Sequence, residues 1–167
     1  EIALCPHQIL HFDGVDTIAD VHLNGIRLGD TCNMHRVWEF DVTDVLRDKE
    51  NELRVVFHSP LKYIAEAYKK SNTNGSTDAM EGFVHIRKAH CMFGWDWGAH
   101  LPDAGLYRPV FLLGVEEARI DSVYITQEHI RRGDTVQTVM LSVDVQVEEL
   151  EKTGQEWKYQ ITVTDPD

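Results

Sequence analysis

The stretch TIADVHLNGIRLGDT, Thr17 to Thr31, alternates apolar and polar residues on either side of Asn24-Gly25. Period two puts Ile18, Asp20 and His22 on one face and Ala19, Val21 and Leu23 on the other, the pattern of a half-buried strand. Asn-Gly supplies the two residues that tolerate positive φ in a tight type I′ turn, so IRLGDT returns as the antiparallel partner. A hairpin of this kind needs further strands to cover its apolar face. The rest of the chain has to provide a sheet.

It does so repeatedly. RVWEFDV and NELRVVFH read as strands, joined by TDVLRDKE, a segment short and polar enough for one turn of helix. FVHIRKA and LYRPVFLLGV read as two more, and IDSVYITQ, TVQTVMLSVDVQVE and WKYQITVTD as a further run after Glu116. A single helix interrupts the series: Ser59 is placed to cap it, Pro60 suits its first turn, and Leu61, Ile64, Ala65 and Tyr68 recur at helical spacing before SNTNGST ends it. That helix is expected to cover an edge or end of the sandwich.

The predicted architecture is therefore all-β: a jelly-roll sandwich over residues 1–115, with strands ahead of Glu1 missing, and a partial β-sandwich over residues 116–167. Charge supports a boundary near Val115. Residues 116–167 hold 12 acids against 5 bases, residues 1–115 hold 16 against 11. The total of 28 acidic to 16 basic side chains repels phosphate backbones, so nucleic acid is not an expected partner. No apolar run approaches the length of a bilayer span, and no membrane partner is expected.

Cys5, Cys32 and Cys91 are widely spaced without a CxxC pair, which signals neither a disulfide framework nor a zinc ribbon and favours a reducing, cytoplasmic setting. The chain opens on Glu with no signal-peptide pattern, as expected if a leader was removed or lies outside this chain. His85, His90 and His100 lie near Cys91, yet no HExxH or spaced ligand quartet occurs, and they are read as surface or hydrogen-bonded residues; no metal or cofactor is expected. Asp41 and Asp44 in FDVTD read as turn and cap residues, Arg87 and Lys88 as strand-edge charges, and Glu148, Glu149 and Glu151 as a solvated run.

The segment FGWDWGAH, Phe93 to His100, stands apart, with two tryptophans flanking an aspartate between glycines. Three readings are open: ordinary core, a carbohydrate platform, or a carboxylate held for chemistry. Gly94 and Gly98 make it a loop, and loops carry sites more often than cores do. A carboxylate unpaired between two large rings would be costly to bury. An indole face beside a carboxylate suits a sugar, whose CH face stacks while its hydroxyls donate to the oxygens.

FDGVDTIADVHLNG, NMHRVWEFDVTDVL, NELRVVFHSP and RKAHCMFGWDWGAHLPDAGLYRPVFL resemble, in order and spacing, the sugar-binding, galactose-binding-like jelly-roll domain of glycoside hydrolase family 2. The LNG hairpin and FDVTD are shared with family 2 β-galactosidases and β-glucuronidases, whereas GWDWG points to the β-mannosidases. The resemblance covers residues 9–115, and ARIDSVYITQ looks like the start of the immunoglobulin-like domain that follows in these enzymes. Ala99 stands where proline is common.

The resemblance implies a retaining exo-hydrolase of terminal β-mannose residues, with a β-mannoside or manno-oligosaccharide as substrate. It also implies that the nucleophile and acid/base glutamates lie on a (β/α)₈ barrel C-terminal to these sandwiches. No catalytic residue is then expected in this chain, and Trp95, Asp96 and Trp97 are the substrate-binding candidates, lining the pocket that the barrel completes. A free carbohydrate-binding module, or the same region of another family 2 exo-glycosidase, is the alternative.

Overall fold

The computed structural model describes residues 5–154 and 156–164. The chain divides into two compact units, Glu1–Gly114 and Val115–Asp167. In chain order the first carries β1 (His7–Phe12), β2 (Val15–Asp16), β3 (Ile18–Leu23), β4 (Ile26–Cys32), β5 (Trp38–Asp41), β6 (Leu53–Phe57), α1 (Pro60–Lys70), β7 (Gly105–Leu106) and β8 (Val110–Val115).

The Asn24-Gly25 turn forms as its residue types require: both have positive φ, 53° and 84°, and β3 and β4 run antiparallel from it. β3 is the centre of a three-stranded sheet, with β4 on one edge and β6 on the other. A second sheet has the order β5-β1-β8. The alternation sends Ala19, Val21 and Leu23 inward, where they meet Leu10 and Phe12 of β1 and the buried Val15 and Val42. One core thus lies between two sheets, an all-β sandwich. The sheets approach closely at Gly29, where an added Cβ would lie 2.7 Å from the Phe40 ring.

TDVLRDKE yields a single helical turn, with Leu46 N–H donating to the Val42 carbonyl at 2.8 Å. Asp41 acts in turn chemistry as read: its carboxylate accepts from the Thr43 hydroxyl at 2.6 Å and the Thr43 N–H at 3.0 Å. The helix also forms where its cap requires it, with Ser59 Oγ accepting from Lys62 N–H at 3.3 Å and Lys69 and Lys70 in the last turn, complementing the dipole. Its packing differs from expectation. Leu61 is 41% exposed and Ala65 is also exposed, while Ile64 is buried against Phe83, Ile86 and Phe93, so α1 rests mainly on the 79–93 segment and reaches the sandwich through Ile18.

Two strand expectations in this unit are corrected. FVHIRKA is no strand: Gly82, at φ 80°, packs so closely on α1 that a Cβ would lie 2.7 Å from the Ile64 carbonyl, and the chain turns into a 3-10 helix at Phe83–His85. Only Arg87 makes a bridge, to Asn33. LYRPVFLLGV splits into β7 and β8, because Pro109 has no N–H for a ladder and its carbonyl instead accepts from Asp13 N–H at 3.0 Å.

The second unit is a hairpin of two long strands, β9 (Ala118–Arg132) and β10 (Thr135–Glu149), paired so that Val123 opposes Val145 and Ile125 opposes Val143. Glu148, expected to be free in solvent, pairs with Arg119 at 2.7 Å. The described part of WKYQITVTD, residues 157–164, has no ladder partner among the described residues. Its Tyr159, Ile161 and Val163 instead line an open groove of about 490 Å³ with Val123, Ile125 and Val143. Asp165 lies outside the described residues.

Two outcomes follow from this fold. Gly25→Ala is expected to lower stability by about 1 kcal/mol in urea denaturation, because an L side chain is strained at positive φ, whereas Gly105→Ala, with open space and ordinary φ, is expected to be near neutral. The Thr43 hydroxyl and N–H hold the Asp41 carboxyl below its usual range, so its contribution is complete above the ordinary carboxylate value and is lost as pH falls through the lowered one. Urea midpoints measured below about pH 4 should therefore fall less steeply for Asp41→Asn than for the unmodified chain.

Candidate functional site

The 93–100 loop is built from a buried anchor and an exposed tip. A short 3-10 helix, His90–Phe93, leads in. Phe93 is 0% exposed and packs among Ile64, Phe83 and Ile86, its ring centroid 6.4 Å from that of Phe83. Its carbonyl accepts from Met80 N–H at 3.0 Å, and the Met92 carbonyl accepts from Leu101 N–H at 3.0 Å, which draws the two ends of the loop together. Gly94 takes φ 116°, and a Cβ there would lie 2.1 Å from the His100 ring and 2.9 Å from the Asp78 carbonyl. Only glycine meets both demands. His100 Nε2 donates to that same carbonyl at 3.1 Å.

Beyond Gly94 the chain makes a tight turn, with Trp95 bridged to Gly98 and Gly98 N–H donating to the Trp95 carbonyl at 3.2 Å. Asp96 and Trp97 are its central residues. All three candidates are brought together here and all are on the surface: Trp95 is 55% exposed, Trp97 84%, and Asp96 is exposed as well. The expectation of a carboxylate pressed between two rings is thereby corrected. Asp96 bears no burial cost, because the turn splays its neighbours into solvent.

The histidines near Cys91 have other occupations. His85 Nε2 donates to the Ser71 carbonyl at 2.8 Å, and His90 lies edge-on to Phe83 with centroids 4.9 Å apart. Among the described residues, no three His, Cys, Asp or Glu side chains are grouped to hold a metal ion. A separate groove of about 920 Å³ runs along α1 between Phe57, His58, Tyr63 and His85 and does not include the loop.

One residue was misplaced by sequence reasoning. Arg87 is exposed, though on an isolated bridge rather than a strand edge, and the Lys88 side chain is 0% exposed and ion-paired with the buried Asp16. The available signal was register: Lys88 lies two residues after buried Ile86, on the same side of a locally extended backbone.

An all-β sandwich here holds an exposed turn of two indoles around an open carboxylate, which leaves flat apolar rings and acceptor oxygens open to solvent. The chain belongs to the family described as glycosyl hydrolase 2 galactose-binding domain-like, which matches residues 3–108. It is similar to the mouse (Mus musculus) β-mannosidase, 36% identical over an alignment of 126 residues, with 70% of this chain and 14% of that one covered. The crystal structure of a β-D-mannosidase from Dictyoglomus thermophilum superposes with a TM-score of 0.77 at 34% identity, covering 90% of this chain and 18% of that one. A β-glycosidase from Bacteroides vulgatus shares the fold at 19% identity and a TM-score of 0.52. The chain spans about one seventh of the length of the curated relatives it matches.

The anchor and tip should respond differently to truncation. Phe93→Ala is expected to cost about 3–5 kcal/mol of stability as a cavity in a packed cluster, and Trp97→Ala less than about 0.5 kcal/mol. Gly94→Ala should lower the melting temperature more than Gly25→Ala, since it adds a backbone and ring clash to the strained φ. Calorimetric melts of the set check the division.

Proposed function

We propose that this chain is the amino-terminal, non-catalytic part of a retaining β-mannosidase and that Trp95, Asp96 and Trp97 line the pocket for the terminal mannose. The observation that carries the reading is the exposed turn on a buried anchor: Phe93 and Gly94 fix the backbone, while both indoles and the carboxylate remain available to a ligand. Asp96 accepts hydrogen bonds from hydroxyls distant from the cleaved bond, and an indole closes the pocket wall. Such contacts orient the sugar and supply remote binding energy to the transition state. The nucleophile and acid/base carboxylates belong to a barrel of the same parent polypeptide, and the chain alone is inactive.

In this reading residues 1–115 are the sugar-binding domain. Residues 116–167 open an immunoglobulin-like sandwich, a role that suits a hairpin whose Tyr124, Ile130 and Met140 are exposed and call for cover. The similarity to two β-mannosidases at 34–36% identity supports mannose over other family 2 sugars.

The decisive experiment is Asp96→Ala in the longer enzyme, which should keep its melting temperature and lose about tenfold to a thousandfold in kcat/KM on an aryl β-mannoside, the effect of one or two charge-assisted hydrogen bonds. Unchanged kinetics in a folded variant would assign the loop a structural role. Mannose titrated into the present chain by calorimetry should give no saturable heat at millimolar sugar, since one wall of a pocket offers few converging contacts; tight binding would favour a free-standing module.

A further inference from the structure

We infer that Lys88 is a positioning residue: its buried ammonium clasps the entry and exit of the Trp95-Asp96-Trp97 loop to the sandwich. This rests on the reading of that loop as a sugar contact. Lys88 immediately precedes the segment that leads into the loop, and Asp103 follows it on the way out to β7. The Lys88 Nζ donates to the backbone carbonyl of Asp103 at 2.7 Å and to the carboxylate of Asp16. Asp16 belongs to β2 and is paired in register with Gly105 of β7. A single cation therefore joins three backbone segments: the loop's entry, its exit, and the strand that receives the exit.

The surroundings make this junction rigid. The Thr17 hydroxyl also donates to Asp16, and the Thr31 hydroxyl donates to the Thr17 carbonyl at 2.9 Å, which extends the network to β4. On the entry side, Met34 N–H donates to the Arg87 carbonyl at 2.9 Å. A lysine on a long flexible stem is expensive to bury and ordinarily keeps its ammonium in water. Here both the ammonium and its counter-charge are sequestered, so moving the loop's base means separating a pair shielded from solvent. The exposed turn itself has no such restraint, being closed by the Gly98–Trp95 bond and the Asp78–His100 contact at the surface.

The test removes both charges, because Lys88→Met alone strands the Asp16 carboxylate. In the 167-residue chain, Lys88→Met/Asp16→Asn is expected to speed amide exchange in residues 92–103 by about tenfold or more, with amides of β3 and β4 changed by less than about twofold. Lys88→Arg, which keeps a cation, should restore much of the loop's protection if the double variant folds poorly. Unchanged loop exchange, or equal acceleration in the sheet, would overturn the clasp.

The kinetic arm uses the longer enzyme. If the loop holds its competent arrangement only a fraction of the time, apparent affinity falls by that fraction, so KM should rise about tenfold with kcat nearly constant. A merely structural role would lower the amount of active enzyme and leave KM alone, which would overturn the proposal. Faster loop exchange with unchanged KM and kcat would leave the clasp standing and remove the sugar-contact reading beneath it.

Discussion

The first unit depends on one strand being central. β3 is hydrogen-bonded on both edges, so its inward residues Ala19, Val21 and Leu23 cannot rotate away from the facing sheet without breaking two ladders. That fixes the register of the sandwich, since a slip of one residue would turn Asp20 and His22 into the core. The outward face uses those polar residues locally: Asp20 takes His58 at 2.7 Å and Arg27 at 2.9 Å. These contacts hold its carboxyl below the usual range, His58 first and Arg27 second. Ile18, at the start of the same strand, touches the second cluster, so the sandwich and the loop's support share one element.

The second cluster explains why the chain keeps a helix in an otherwise β domain. Ile64 of α1, Phe83, Ile86 and Phe93 form a small apolar seat apart from the main core. Without it, the 79–103 excursion would have little to bury and little to offset the conformational entropy lost on ordering. α1 is shallowly seated, yet of the two residues it buries, Pro60 and Ile64, the second sits in one cluster with the loop's anchor. The helix serves the loop more than the sandwich.

How legible this was from sequence follows the range of the interaction. The hairpin, the Ser59-capped helix and the Asp41–Thr43 turn are set by neighbours within a few residues, and each forms as its local chemistry implies. The failures are long-range. Nothing near FVHIRKA announces that Gly82 must pack against α1, and nothing near Trp157 says that its run joins no ladder among the described residues. Lys88 is the sharpest case, because its partner Asp16 is 72 residues away and a charge in isolation reads as solvent-exposed. Of the candidate site, the grouping of Trp95, Asp96 and Trp97 was visible as contiguity, while their exposure depends on Gly94 and Phe93 and could only be seen in the fold.

That exposure bears on why the residues are present at all. An indole contributes to folding through the area it removes from water, roughly 25 cal/mol per Å², and Trp97, at 84% exposed, removes little. Asp96, open to solvent, is not needed to neutralise a buried cation; Asp16 does that for Lys88. The turn geometry would accept smaller side chains at both central positions, since its closure runs through the backbone of Trp95 and Gly98. Folding of the unit therefore gives no reason for a tryptophan or an aspartate at the tip. The costly features, a glycine at φ 116° and a lysine sequestered with its counter-ion, all lie at the base and hold the tip in place. A rigid base under a tip that contributes nothing to its own stability is the arrangement required when the tip's partner, here proposed to be a sugar, has to find it already in position.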